Sequence, residues 1–555
     1  MAVHISPDDK GVNSLHVEDG QPPLANQDEE LAEDLKRIRE YATLATNDEH
    51  NTTFIEGIKR YPKAIAWSAL ISLCIIMDGY DTALMASLFG FPAFQKQYGY
   101  QLGNTGKYVL HAEWQVALGM ANPVGNVVGI TLNGYLTDRF GHKPVLHAGL
   151  FALIGFIFIQ FFSTSVQVLF VSELLCGIPW GIFSTMAPAF ASEVVPLSLR
   201  SYLETWVVVC WGIGQYISYA ILFSLNGWDN RWAYRIPFAI QWVWPVIIIP
   251  IAAFCPESPW WHVRKGHYEK AERSVMRLTS AENKEVARDQ AKKAVALMIE
   301  TNQLEEQTKE ETSYLSCFQG SDLWRTEIGC VSWGIQIITG FVIQNYAVYF
   351  FQQAGLSVNN SFKMTLGMGA IHLVCNGASA ALTGNYGRRT LFVNGCFFLA
   401  VLMLILGFLA LGPLNTKFGF ATSAVYLIWY AVWCLTIGPL PYIINGEVSS
   451  TRLRSKTMAL ARGTYQVLSI INTVVAPYIL NPEQANWRGK AGFLTGGLTV
   501  LCLVWAYFRL PETGRRTFEE LDILFEEKGM TARHFSKAVI RRDNGEIEVS
   551  GPHKR

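Results

Sequence analysis

Charged side chains are scarce in this chain: Asp, Glu, Lys and Arg make up 16% of its 555 residues, where a soluble domain has about 25%. Their formal charges cancel, so no overall basic field favours nucleic acid as a partner. The ten cysteines are scattered singly, without CxxC or His-rich spacing, and predict neither a disulfide framework nor a metal site. No Walker loop, HExxH, GxSxG or dinucleotide fingerprint stands in a suitable context. We therefore expect neither an enzyme nor a cofactor.

Long apolar stretches are what the sequence has instead, and twelve of them lie between Ala64 and Leu510. A helix of about 20 residues crosses a hydrocarbon core of roughly 30 Å and satisfies its own backbone polar groups there. We therefore predict an all-α membrane protein with twelve transmembrane helices. The approximate spans are 64–88, 115–136, 145–163, 167–190, 204–224, 236–255, 328–352, 364–383, 390–411, 420–446, 457–480 and 491–510.

The charged residues lie mostly outside these stretches and predict the domain organisation. Residues 1–63 are polar and lack the basic start and apolar core of a signal peptide, so we expect a cytosolic, largely disordered segment. Residues 64–255 and 328–510 are predicted to form two six-helix bundles, joined by a cytosolic helical linker at 256–327 and followed by a cytosolic tail at 511–555. Arg and Lys concentrate on the side of the linker, which by the positive-inside rule places both termini in the cytosol.

The two bundles repeat each other along the sequence. GYLTDRFGHKP in the first is matched by ALTGNYGRRT in the second, EVVPLSLRS by EVSSTRLRSK, and PESPWW by PETGRR. The equivalent positions are Gly141 and Gly387, 246 residues apart; Glu193 and Glu447, 254 apart; and Pro256 and Pro511, 255 apart. Three pairs at nearly one spacing indicate an internal duplication. Two related bundles around a central site are typical of transporters that expose a solute alternately to each side.

Six motifs stand in register between residues 60 and 525: GYDT at Gly79, GYLTDRFGHK at Gly134, ExxPxxxR at Glu193, PESPWW at Pro256, TIGPLPY at Thr436 and PETGR at Pro511. With these motifs the chain resembles the sugar porter family of the major facilitator superfamily. LCGIPWG at Leu175 makes it most similar to fungal alpha-glucoside (maltose-type) permeases. The resemblance implies the major facilitator fold and proton-coupled uptake of a sugar across the plasma membrane. We expect a monomer in the lipid bilayer whose partners are a sugar and protons.

The chain also departs from the family pattern near the expected sugar site. His142 stands where Arg is usual, Gly384 and Asn385 replace Asp-Arg, and Tyr442 stands where many hexose porters carry Trp. Hexose specificity therefore does not carry over from the resemblance. Two alternatives stay open: a facilitative hexose transporter, or an exporter of a small metabolite on the same fold.

Three acidic residues are predicted to lie inside the membrane. Asp78 and Asp81 are three residues apart on one face of the first span, and Glu173 lies at a comparable height in the fourth. Buried carboxylates are costly in a bilayer and usually face a cavity or a proton path. Many sugar porters carry Arg at the position of Glu173, so here protons become the natural counter-ions. We predict that these three residues bind the coupling proton; the alternative is that protonated acids hold the bundle together.

Sugars need amide groups for paired hydrogen bonds and aromatic faces for stacking. Gln215, Gln336 and Tyr442 match the family's sugar-binding positions, and the other candidates follow from their polarity or aromaticity inside predicted spans. Amides can equally bridge helices, aromatics can anchor at interfaces, and an arginine can snorkel to the surface. The full set of sugar-site candidates is Gln215, Gln336, Gln344, Asn345, Tyr346, Asn376, Trp433, Tyr442 and Arg462.

Charges at the cytosolic ends of the spans resemble the family's inner gate, in which salt bridges hold one of the two transport states. A shift of a few kcal/mol between two states is enough to control such a gate; the alternative is that the charges only set topology. The gate candidates are Asp138, Arg139, Glu193, Arg200, Arg388, Glu447 and Arg454. Asn359 begins a glycosylation sequon in a predicted outer loop.

Overall fold

The fold is known from a computed structural model that describes residues 41, 54–101, 108–195, 197–280, 284–311, 314–413, 415–450, 453–481, 484–514, 516, 518–527, 531–535, 539–543 and 546–550. The predicted disorder of the N-terminal segment falls almost entirely outside these residues. In the described part, helices dominate and strands are confined to two short hairpins.

The first half contains six spans, numbered here in chain order. Span 1 consists of Pro62–Ser72 and Cys74–Leu88, span 2 is Ala112–Phe140, span 3 is His142–Phe161, span 4 is Val166–Val194, span 5 is Leu197–Leu225, and span 6 consists of Trp232–Ile240 and Val243–Ala252. Helix Phe54–Arg60 precedes span 1. Helix Pro92–Tyr98 and an antiparallel pair of strands, Tyr100–Gln101 and Tyr108–Val109, join spans 1 and 2, with Tyr100 opposite Val109.

The second half repeats this order. Span 7 consists of Gly320–Ile338, the 3₁₀ turn Gln344–Tyr346 and Ala347–Gln353; span 8 is Val358–Asn385, span 9 is Arg388–Leu409, span 10 consists of Thr416–Leu435 and Leu440–Val448, span 11 is Arg454–Leu480, and span 12 is Ala491–Arg509 after the 3₁₀ turn Arg488–Lys490. The linker holds helices Pro259–Arg264, Tyr268–Leu278 and Lys284–Glu311 and the 3₁₀ turn Tyr314–Phe318. The tail holds helix Phe518–Glu526 and the hairpin Val539–Asp543 with Glu546–Ser550.

Ten of the twelve spans are long and apolar enough to cross a membrane when the described residues are judged by length and composition alone. The other two are span 2 and span 7. Span 2 is a helix of 29 residues whose interior carries the amides of Asn122, Asn126 and Asn133. Span 7 begins at Gly320, inside the predicted linker, and is interrupted before Gln344. Its longer piece has 19 residues but carries the charges of Asp322, Arg325 and Glu327.

Spans 7 and 10 are broken for different local reasons. In span 7, Val342 has a φ of 74°, which a β-branched residue rarely adopts, and Asn472 of span 11 accepts a hydrogen bond of 2.6 Å from its N–H. In span 10, the helix ends at Leu435 before Gly438 and Pro439, and proline has no N–H with which to continue the ladder. The side-chain amide of Gln336 in span 7 donates to the carbonyl of Gly438. The two breaks therefore lie side by side.

The two halves join at the end of the bundle opposite the linker, which we call the far face; the end that carries residues 253–319 is the linker face. Phe89 stacks on Tyr346 with 6.0 Å between ring centroids, and Phe91 meets Phe362 edge-on at 5.7 Å. Gln352 donates a 2.7 Å hydrogen bond to the carbonyl of Gly90. One apolar core includes these residues of both halves, while a second core stays within the first half and the start of the linker.

Candidate functional site

A pair of fully buried carboxyl groups lies in the first half. Asp81 of span 1 and Glu173 of span 4 have no exposed surface, and their side chains are hydrogen-bonding neighbours. The structure therefore brings these two predicted residues together. Two negative charges in such a low-dielectric setting repel strongly, so one shared proton stabilises the pair.

The hydrogen-bond donors around this pair are amides from three other helices. Asn122 of span 2 donates to one oxygen of Asp81 at 3.1 Å, and Gln241 near the middle of span 6 donates to the other at 3.0 Å. Gln160 of span 3 donates to Glu173. Among the residues that the structure describes, none donates a hydrogen bond to the second oxygen of Glu173. An oxygen that faces another carboxyl group without a donor is where a proton would complete the hydrogen bonding.

Span 1 is placed for this role by close backbone contacts. A Cβ atom added to Gly79 would lie 2.1 Å from the carbonyl oxygen of Trp211, so only glycine lets span 1 approach span 5 this closely. The next residue contacts a different helix: the hydroxyl of Tyr80 donates to the carbonyl of Pro237 in span 6 at 2.8 Å. Gln241 follows one turn after Pro237, and the same contact therefore aims its amide at Asp81.

The third predicted acid, Asp78, is half-buried and interacts electrostatically with Asp81 and with Arg462 of span 11. The guanidinium of Arg462 lies 4.7 Å from the ring centroids of both Trp333 and Tyr465. These contacts hold the guanidinium against two rings of its own half and within electrostatic range of a carboxyl group of the other half.

Aromatic rings of span 10 form one wall of the region between the halves. Tyr430 and Trp433 stack with centroids 6.1 Å apart and planes 8° apart. The hydroxyl of Tyr430 lies 2.9 Å from Nδ1 of His372 in span 8, and the amide nitrogen of Asn376 lies 2.9 Å from Nε2 of the same ring. The indole N–H of Trp433 is buried, and no acceptor for it occurs in the described part of the chain. Stacking faces beside free donors and amides are what a sugar site needs.

The remaining sugar-site candidates divide into separate groups. Gln215 is buried in span 5, one turn from Gly212, where an added Cβ would lie 2.6 Å from Cδ2 of His372. The amide of Gln336 donates to the Gly438 carbonyl at the break in span 10, and Gln344 packs over Gly340. Tyr346 is buried against Phe89 at the contact between the halves, so it serves packing there. Tyr442 is exposed and meets Trp333 edge-on at 4.4 Å. The side chain of Asn345 lies outside the described residues.

Four residues in these networks were missed by the sequence analysis: Asn122, Gln160, Gln241 and His372. Each is a polar side chain inside a predicted apolar span, which is the criterion that selected Gln344 and Asn376. The same criterion, applied to every span, would have found them. Which carboxyl group or ring each one contacts depends on helix packing and has no sequence signal.

The gate candidates form a separate charge network at the linker face of each half. In the first half, Glu193 pairs with Arg264 at 2.9 Å and accepts a hydrogen bond from Ser258. In the second half, Glu447 pairs with Arg388 at 2.9 Å and accepts a 2.6 Å hydrogen bond from Thr513.

Glu257 belongs to the network of the first half and lies between spans. Burial acts to raise the pKa of its carboxyl, but hydrogen bonds from His142 and from the backbone N–H groups of Lys143 and Ser258 outweigh it and hold that pKa below the ordinary value. Glu257 is therefore an anion that stabilises the start of span 3.

The other surface candidates have local contacts or are not described. Arg139 donates to Tyr135 on its own helix at 2.9 Å, and the backbone carbonyl of Asp138 accepts from Trp261 at 3.1 Å. The side chains of Arg200 and Arg454 lie outside the described residues. Asn359 is exposed in the first turn of span 8.

Two six-helix halves, joined at one face and enclosing polar groups at mid-span, define a membrane transporter of the alternating-access class. The matching family model is that of sugar (and other) transporters, and it matches residues 67–525. The chain belongs to this family.

Relatives of known function are yeast permeases. The chain is similar to the maltose permease MAL31 of Saccharomyces cerevisiae, 35% identical over 97% of this chain and 89% of that protein. It is also similar to the general alpha-glucoside permease of the same species, 34% identical over 90% of this chain and 81% of that protein. Among solved structures, the xylose transporter XylE from E. coli in an inward open conformation superposes with a TM-score of 0.64 over 83% of this chain and 99% of XylE, at 19% identity. This likeness shows the fold.

Proposed function

We propose that this protein takes up an alpha-glucoside such as maltose together with a proton, by alternating access. The observation that carries the proposal is the buried pair of Asp81 and Glu173, whose donors among the described side chains are amides. A pair without a cation of its own needs a proton to stay inside the membrane. Related permeases for maltose and alpha-glucosides support the class of cargo.

The sugar binds between the halves, against the stacked rings of Tyr430 and Trp433. Asn376 and Gln215 supply amide groups that can both donate to and accept from hydroxyl groups. An uncharged cargo needs no counter-ion, which suits a wall of aromatic rings and amides. Arg462 lies over the ring of Trp333, which also meets Tyr442, and it interacts electrostatically with Asp78 of the first half.

Proton and sugar are coupled because the two sites occupy opposite halves that must move together. Asp81 and Glu173 belong to the first half, while Tyr430, Trp433 and Asn376 belong to the second. Gly212 of span 5 contacts His372, so the first half touches the sugar wall directly. The charge networks of the linker face act as the inner gate, each holding the ends of its own spans. Plasma-membrane location, cytosolic termini and a monomeric state complete the proposal.

Transport of labelled maltose into yeast cells that lack their own permeases tests this function. Wild-type protein should accumulate maltose against its gradient and alkalinise the medium. D81N should lose accumulation and keep exchange of labelled for unlabelled sugar, because a permanently neutral side chain holds no transferable proton. D229N is the matched control, since Asp229 is an exposed acid paired with Lys96.

Three outcomes contradict the proposal. Unchanged accumulation by D81N would reject the proton role of Asp81. Saturable maltose uptake without alkalinisation would indicate a facilitator. Absence of competition by maltose, trehalose, sucrose or turanose would reject alpha-glucosides as the cargo.

A further inference from the structure

The end of span 12 carries two cations beside exposed aromatic rings. Tyr507 and Phe508 lie in the last turn of this span, with 46% and 58% of their surfaces exposed. The guanidinium of Arg389, at the start of span 9, donates a 2.7 Å hydrogen bond to the carbonyl of Tyr507. The guanidinium of Arg533, in the tail, lies 4.3 Å from the ring centroid of Tyr507 and 5.0 Å from that of Phe508. Cations from two separate parts of the chain therefore meet at one pair of rings.

The side chain of Arg389 can make further hydrogen bonds. Its Nη2 is bound to a carbonyl, which satisfies a donor without cancelling the positive charge. Its Nε is buried, and none of the described residues accepts a hydrogen bond from it. Buried donors in proteins normally have an acceptor, and a phosphate group presents several oxygens that an arginine binds through two N–H groups at once. An oxyanion such as a phosphate would satisfy both the charge and this donor.

The first half repeats this arrangement at the end of span 6. By the internal duplication, Lys143 is the counterpart of Arg389, and its ammonium donates to the carbonyl of Ala253. Arg277 of the linker donates to the carbonyl of Phe254 at 2.9 Å, and the Phe254 ring is exposed. Each half thus brings one cation from the start of its third span and one from the segment that follows its sixth span to an exposed ring. The recurrence indicates a feature of the fold rather than of one helix end.

Each pair of cations is accompanied by an acid that is already bound. The backbone N–H of Lys143 donates to Glu257 at 3.1 Å, and the backbone N–H of Arg388 donates to Glu512 at 2.7 Å. In each half, therefore, two cations accompany one carboxylate, and the local charge stays positive.

The position of the two sites selects the kind of ligand. Both lie where a span ends, which is where the hydrocarbon core gives way to the lipid headgroups. A free phosphate would satisfy the cations but would leave the exposed rings of Tyr507, Phe508 and Phe254 uncovered. A phospholipid of net negative charge satisfies both, because its headgroup meets the cations and its acyl chains cover the rings.

We propose that the ends of spans 6 and 12 bind anionic phospholipids of the leaflet on the linker side. At the tighter site, the lipid phosphate lies between the guanidinium groups of Arg389 and Arg533, and an acyl chain lies along Tyr507 and Phe508. The site of the first half binds more weakly, because the ammonium of Lys143 cannot form the paired hydrogen bonds of an arginine. Since Arg533 belongs to the tail, the bound lipid also joins the tail to the second bundle.

Native mass spectrometry of the purified full-length protein in detergent, titrated with dioleoylphosphatidylserine, tests these sites. R389Q and R533Q should each weaken binding at the tighter site by about fivefold, and the double variant by about thirtyfold, as expected for two cations near a lipid headgroup. R277Q should weaken only the other site. R273Q is the matched control, because Arg273 lies one turn before Arg277 and is paired with Glu269 at 3.3 Å, so its loss changes the charge equally and should leave both affinities as in wild type.

Each outcome decides the proposal. Affinities for phosphatidylserine that are the same in wild type, R389Q and R533Q would overturn it, and so would equally tight binding of dioleoylphosphatidylcholine, which has no net charge. Displacement of the bound lipid by inorganic phosphate would identify a site for free phosphate instead of lipid. If R389Q does not fold, R533Q decides, because Arg533 is exposed in the tail. No measurement here involves sugar or proton movement, so the lipid sites and the proposed function stand or fall separately.

Discussion

Replacing Gln241 by Leu tests whether the amides around Asp81 set the pH dependence of transport. Gln241 lies in the membrane with 2% of its surface exposed, and its Nε2 donates to Asp81 at 3.0 Å. A hydrogen bond to a charged group contributes about 1.5–3 kcal/mol. Leucine has a similar volume but no donor, so the ionised pair loses that stabilisation while the protonated pair loses little.

The expected result follows from converting this energy to a pH scale. One pH unit corresponds to about 1.4 kcal/mol, so the pH at which maltose uptake is half-maximal should rise by about 1–2 units in Q241L. The assay is initial-rate uptake across a range of external pH, normalised to the amount of protein at the surface. Q115L is the matched control, because Gln115 is equally buried but donates to a backbone carbonyl at 2.8 Å, away from the acids. A pH profile for Q241L that coincides with those of wild type and Q115L would refute the reasoning.

Three further outcomes are expected. G129A should lower the Tm and the yield of folded protein, because its Cβ would lie 2.0 Å from the carbonyl oxygen of Ile178. The control is G134A on the same helix, whose Cβ meets nothing within 4 Å and which should behave as wild type. Equal Tm values for the two variants would contradict the packing of span 2 on span 4. E257Q should make the stability of the folded protein less sensitive to acid. A carboxyl whose folded pKa is lowered stabilises the protein above its ordinary value of 4.5 and loses that contribution as the pH falls through the folded value. The same loss of stability at acid pH in E257Q and wild type would count against the role of Glu257. W433A should raise the KM for maltose by about tenfold, because it removes one aromatic stacking face worth roughly 1–1.5 kcal/mol. W228A, which removes an exposed tryptophan, should leave the KM unchanged. A KM unchanged in W433A would mean that the sugar binds elsewhere.

Much of the architecture could be predicted because its signals are local. Apolar length marks the spans, and the duplicated motifs place Glu193 beside the PESPWW segment just as they place Glu447 beside PETGRR. The structure adds the contacts, such as Ser258 to Glu193 and Thr513 to Glu447.

What the sequence could not supply depends on contacts between distant helices. The positive φ of Val342 at the break in span 7 has no sequence signal, since a β-branched residue normally avoids that conformation and is held there by Asn472, 130 residues away. The donors to Asp81 come from residues 41 and 160 positions along the chain. Tyr346 illustrates the opposite case: its aromatic, intramembrane character suggested a sugar ligand, but its ring packs against Phe89.

The hydrogen bond from Gln336 to Gly438 has a mechanical consequence. One amide from span 7 holds a main-chain oxygen at the bend of span 10, and that bend lies directly after the ring of Trp433. A hydroxyl group that competed for this amide would leave the Gly438 carbonyl without its side-chain donor, and span 10 would be free to change its angle there. Binding of a ligand at this position would then change the backbone conformation of span 10 directly.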